Sequence, residues 1–152
     1  MTEPEPLWPE APRLAPEHAL PAHRFVPGIN ARPDQETVSD FLFGIDLYHA
    51  GFLWEAHESW EGLWKAASDP ARRALLQGLI QMAAALLKHH LGNARGVEKL
   101  SRAASQRFKE AAGVGPRLMG LDLPALMAAW EACAAASSRE EAWARAPRLL
   151  PR

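Results

Sequence analysis

The chain has 152 residues, enough for one domain with its own core. Hydrophobic residues make up 48%, charged residues 23%, and the net charge is -1, a balance that does not point to general nucleic-acid or anionic-membrane binding. The single cysteine, Cys133, excludes an internal disulfide framework and a cysteine-rich zinc site.

Residues 1–33 hold eight of the 13 prolines, so this segment is neither a long helix nor a central strand. Its first part, 1–23, is expected to be a flexible proline-rich tail. From Arg24 to Pro33 the apolar residues and the Pro27-Gly28 turn can pack along the rest of the fold. No basic stretch followed by an apolar run opens the chain, so no secretory signal is read and a cytoplasmic location is expected.

Pro33-Asp34 is expected to open a first helix with Asp34 as N-cap. Val38, Phe41, Leu42, Ile45 and Tyr48 would form its apolar face, with Asp46 and His49 beside it. Gly51 closes that helix. A second runs from Phe52 to Ala67, with Phe52, Leu53, Ala56, Trp60, Leu63 and Trp64 as one stripe. Asp69 and Pro70 then cap and start a third helix, which reaches about residue 91. Its segment Leu75–Leu87 is apolar over more than half its circumference, the pattern of a buried bundle centre. Gln77 and Gln81, with Lys88 just beyond it, form its one narrow polar strip.

Asn93 is placed to cap a fourth helix to about Ala112. A fifth starts at Leu121-Asp-Leu-Pro124, and Ser138 with Glu141 has the spacing of a capping box for a short sixth. No run alternates long enough to be a strand. The reading is therefore all-α: a compact bundle of five to six helices around residues 70–91, forming one domain over 24–146, with a C-terminal tail, 147–152, that frays.

The run Gly51-Phe-Leu-Trp-Glu-Ala-His-Glu-Ser-Trp-Glu-Gly-Leu-Trp64, then Leu76-Gln-Gly-Leu-Ile-Gln-Met-Ala-Ala84, then His89 and Gly92-Asn93, resembles domain of unknown function family 309 of bacteria and archaea. The likeness extends over roughly Phe25 to Glu131. It implies a compact all-helical fold with a shared polar cluster that includes His89, and it carries no established activity.

Within this framework His57 and Glu61 stand one turn apart and can chelate one ion. The motif resembles the zincin HExxH with its second histidine replaced by Glu61. A mixed His/carboxylate site remains open, with Asp46, His49, Glu55 and His89 as further ligands and zinc, iron or manganese as the metal. Equally, His57, Glu58 and Glu61 can pair with Gln77 and Gln81 in a polar seam that fixes helix register, since most buried polar groups are satisfied internally. Trp60 and Trp64 read as core, whereas Trp54 lies off the stripe beside Glu58 and suggests either a second packed face or a binding edge.

Two functional classes follow. In the first, the chain is a binding or interaction module, and Trp54, Glu55, His57, Glu58, Glu61, Gln77, Gln81 and His89 are structural or receive a small polar ligand or a protein partner. In the second, it is a metal-dependent hydrolase with His57 and Glu61 as ligands and Glu58 or Glu55 as general base. Neither nucleic acid nor a membrane is an expected partner, and a divalent metal is the one cofactor the residues suggest.

Overall fold

The computed structural model describes residues 2–34 and 38–152. They form α1 (Phe41–His49), α2 (Leu53–Ala66), α3 (Pro70–His90), α4 (Ala94–Ala112), the two-residue strands β1 (Arg117–Leu118) and β2 (Leu121–Asp122), α5 (Leu123–Ala134) and α6 (Arg139–Arg145). The all-α bundle expected from periodicity is the fold observed. The antiparallel β1–β2 pair is too short to show alternation in sequence. It turns at Met119 and Gly120, both with positive φ.

Helix starts follow local side-chain chemistry. Asp69 accepts from the Arg72 N–H at 2.9 Å and Asn93 from the Gly96 N–H at 2.9 Å, which fixes the starts of α3 and α4 where the sequence reading puts them. Ser138 likewise accepts from Glu141 N–H, while the Glu141 carboxylate reaches back to Ser137. The first helix differs from expectation. Its N-cap is Asp40, which accepts from the Phe43 N–H at 2.7 Å, and Asp34 lies in a bend. Buried Ser59 explains the later start. Its hydroxyl bonds the backbone of Val38 and Asp40 and holds them out of a helix. Val38 is consequently exposed and not on a helical face. Residues 35–37, which the sequence reading puts in the first turn, lie outside the described residues.

α3 is the centre. It packs against both α2 and α4; α5 packs on α4, and α6 on α5 and on α3 itself. Leu75, Leu76, Leu79, Met82, Ala83 and Leu86 are buried on it, facing Ile45, Tyr48, Leu53, Trp60 and Phe108 of the neighbours. Each such leucine contributes about 1.5–3 kcal/mol by leaving water. Among the described residues, no helix is long and apolar enough to cross a membrane.

Both chain ends lie on this bundle. Residues 2–34 contain no regular helix or strand, and their polar groups bond to the helices instead. The C-terminal carbonyls of α1 have no partner within the helix. His49 O accepts from Trp8 N–H at 3.0 Å, and Ala50 O accepts from Arg24 Nε and Nη2 at 2.9 and 2.7 Å. Arg24 also stacks over Phe52. Asp46 accepts from Arg13 Nε, Leu14 N–H and Ala15 N–H. Beyond α6, Tyr48 Oη donates to Pro147 O at 2.7 Å and Leu149 N–H donates to His49 Nε2 at 3.0 Å. Ala15, Val26 and Leu149 are buried. The compositional divisions at residues 23 and 147 therefore do not fall where packing stops.

Gly51, between α1 and α2, has φ +85, and a Cβ there would lie 2.5 Å from the Glu5 carbonyl oxygen. Gly28 has a similar φ of +81 with nothing within 4 Å. Gly51→Ala should therefore combine left-handed strain with displacement of the arm and lower stability by about 2 kcal/mol. Gly28→Ala should cost only the strain. Urea unfolding of the two variants separates these terms, and equal losses would show that the arm does not press on Gly51.

Candidate functional site

α2 carries the polar motif, and the structure distributes it over two faces. Glu55 and Glu58, three residues apart, face the arm. Glu55 Oε2 accepts from Phe25 N–H at 2.9 Å, and Glu58 is ion-paired with Arg32. Glu55 stands in the first turn of α2, where a carboxylate suits the helix dipole. It is only 4% exposed, and its Oε1 is buried with no hydrogen-bond partner. Burial pushes its carboxyl above the usual carboxylate range; the Phe25 N–H opposes this and neighbouring Glu58 adds to it.

Arm and helices enclose a cavity of about 150 Å³ at this point. Phe43 and Leu47 of α1 form an apolar wall, Glu55 and Glu58 line the α2 side, and His18 and Arg32 line the arm side. Glu17 adds a third carboxylate. The cavity is thus a small, partly apolar chamber with more acidic than basic groups on its lining.

His57 faces a different neighbourhood. Its Nδ1 lies 3.2 Å from Trp54 O and its Nε2 lies 3.2 Å from Glu61 Oε2, while Glu61 also meets Lys65 at 3.3 Å. Trp54 packs on the His57 ring and edge-on to Phe25. The chelating pair His57–Glu61 is therefore formed as a contact, with a cation already beside it. A metal site needs at least a third ligand, and among the described residues no three His, Cys, Asp or Glu side chains come together as one.

The remaining candidates stand apart. Gln77 and Gln81 are half-buried on α3. Among the described residues no hydrogen bond joins them to His57 or Glu61, and Gln81 Oε1 is buried without a partner. A side chain on the α3 surface reaches the α2 polar row only if its rotamer and rotation fit, and sequence spacing does not specify that. His89 lines an open groove with Asn93, Ser101 and Glu131, between α4 and α5.

Asp46 and His49 prove to be anchors for the chain ends. The sequence reading expected Arg24 to Pro33 to pack along the fold, but it assigned no polar contacts to Arg13, Arg24, Phe25 or Arg32, which meet the polar groups of α1 and α2. It also missed His90, which meets the carbonyl of Thr2 through Nε2 and accepts from Arg139 through Nδ1. The only signal was charge: arginines in an otherwise proline-rich arm, opposite a helix pair carrying Asp46, Glu55 and Glu58.

Residues 41–100 match the model of a family described as a domain of unknown function, DUF309. The match runs from the start of α1 into α4, narrower than the Phe25–Glu131 likeness expected from the motifs. It contains Trp54, Glu55, His57, Glu58, Glu61, Gln77, Gln81 and His89. The comparisons with curated proteins and with solved structures give no match.

Proposed function

We propose that this chain, similar over its first helices to the DUF309 family, is a binding module for a small polar ligand, and that its site is the arm-covered cavity at Glu55. One observation carries this reading: Glu55, a buried carboxylate with one oxygen lacking a partner, lines a cavity large enough for a guest. An unsatisfied buried acceptor costs about 1–3 kcal/mol, and a ligand that turns the Glu55 carboxylate toward itself and donates to it recovers that cost. The fitting chemistry is a small cation or strong hydrogen-bond donor with a short apolar body. Carboxylates outnumber basic groups on the lining, Phe43 and Leu47 offer apolar contact, and a cavity of about 150 Å³ holds a molecule the size of benzene. Glu55 would accept from the ligand. Arg32, tied to Glu58, would close the arm over it.

The test uses n-propylamine, protonated at neutral pH, and 1-propanol as its uncharged counterpart, followed by thermal shift and saturation-transfer NMR. The amine should raise the melting temperature, because a ligand that binds only the folded state stabilises it by mass action. Propanol should do so less. Glu55→Gln keeps an acceptor for Phe25 N–H but loses the charge, so it should fold and lose the amine response. An amine response unchanged in Glu55→Gln, or none in the wild type, overturns the reading.

A further inference from the structure

A second cavity, about 200 Å³, lies where α2 meets the C-terminal half of α3 under Pro27. It shares no lining residue with the Glu55 cavity. Leu53, Leu87 and Leu91 make its walls apolar, and Trp54, His57 and Lys88 supply its polar groups. The His57 nitrogens already face Trp54 O and Glu61, and the Trp54 indole nitrogen is buried within the packing without an acceptor among the described residues, so Lys88 is the donor left to the cavity. Lys88 makes no ion pair among the described residues. No carboxylate lines the cavity. Glu61, the nearest carboxylate that the hydrogen bonds identify, is held by His57 and Lys65.

Apolar walls with one lysine and no carboxylate select a molecule that is apolar at one end and anionic at the other. We propose that this cavity binds a small apolar carboxylate, of one ring or a short branched chain, with its carboxylate toward Lys88. Size agrees, since a cavity of ~150 Å³ holds benzene and this one is larger by roughly the volume a carboxylate adds. The cavity sits beside the first turns of α2 and is bounded by Pro27 of the arm, two residues after Phe25 and three after Arg24, whose contacts hold the arm to α1 and α2.

The experiment follows 4-fluorobenzoate, 4-fluorobenzyl alcohol and 4-fluorobenzylamine by fluorine NMR against the full-length protein. In parallel it follows the Trp54 indole N–H resonance, identified by its loss in Trp54→Phe. The carboxylate should bind about tenfold or more tighter than the alcohol, the ratio expected for one charge-assisted hydrogen bond, and the amine weakest of the three. The bound carboxylate should shift the indole resonance, because Trp54 lines the cavity. Lys88→Met should bring the carboxylate down to the alcohol's affinity, and Lys88→Arg should restore most of it. The proposal is overturned if the carboxylate fails to bind at about 10 mM, if it binds no tighter than the alcohol, or if the indole proton stays in place. The ligand ranking is measured on wild-type protein, so it decides the matter even if a Lys88 variant does not fold.

Discussion

Asp46→Asn should lower the stability of this protein by about 3 kcal/mol and release its N-terminal arm. Asp46 is 2% exposed. Its carboxylate accepts from Leu14 N–H at 2.7 Å, Ala15 N–H at 2.8 Å and Arg13 Nε at 3.0 Å. Three donors converge on two oxygens. Asparagine keeps one oxygen and puts an NH2 group where the other stood, so at least one donor–acceptor pair becomes donor against donor. The Arg13 guanidinium also loses its charge partner, although its side chain is one-third exposed and water recovers part of that loss. Urea unfolding measures the stability. Limited trypsin digestion reports the arm, because cleavage after Arg13 and Arg24 requires those segments to leave the surface. Wild-type resistance at both sites in Asp46→Asn, with stability within 1 kcal/mol of wild type, would show that the Asp46 bonds do not hold the arm.

The helices were legible because each carries its own local evidence. Asp69-Pro70, Asn93 and Ser138 cap the helices they precede, and the apolar spacing of Leu75–Leu87 identifies the central one. The arm carries no such evidence. Its residues have no period, and its bonds run to atoms far away in sequence: Arg13 to Asp46, Phe25 to Glu55, Arg32 to Glu58. Composition identifies such a segment as irregular and says nothing about whether its backbone N–H groups find acceptors. The delayed start of α1 has the same origin, since Ser59, nineteen residues downstream, holds the backbone of Asp40. The candidate site was legible at the level of the motif and not of its faces. Glu55, His57, Glu58 and Glu61 were identified together. Adjacent residues on a helix point about 100° apart, and tertiary packing decided that Glu55 and Glu58 meet the arm while His57 meets Trp54 and Glu61.

This division makes α2 a wall common to two cavities, with Glu55 and Glu58 lining one and Trp54 and His57 the other. Phe25 contacts a residue on each side, donating its N–H to Glu55 and setting its ring edge-on to Trp54.

Acid should weaken the fold through His49, and the effect should be separable from that of Glu55 by substitution. His49 is 2% exposed. Its Nε2 accepts from Leu149 N–H, so that nitrogen carries no proton in the folded state, and its Nδ1 is buried without a partner. Burial pushes its pKa down to about 4; Asp46 opposes this and Arg148 adds to it. In the unfolded chain the ring titrates near 6.5. Between these values the unfolded state binds more protons than the folded one, so stability rises with pH across that window. The contribution is fully present above about 6.5 and is lost as pH falls through about 4, amounting to about 3 kcal/mol. Glu55 acts with the opposite sign. Its folded pKa is raised, so its contribution is present below the ordinary carboxylate range and is lost as pH rises through the folded value. The wild-type profile mixes the two slopes. His49→Gln isolates one of them, because glutamine can still accept from Leu149 N–H and does not titrate. Urea unfolding free energies of wild type and His49→Gln, measured between about pH 4 and 7.5, should differ by a constant above 6.5. Below that point wild type should lose stability relative to the variant. Parallel profiles over the whole range would mean that His49 takes up its proton in the folded state as readily as in the unfolded chain, and that the Leu149 contact does not depend on a neutral ring.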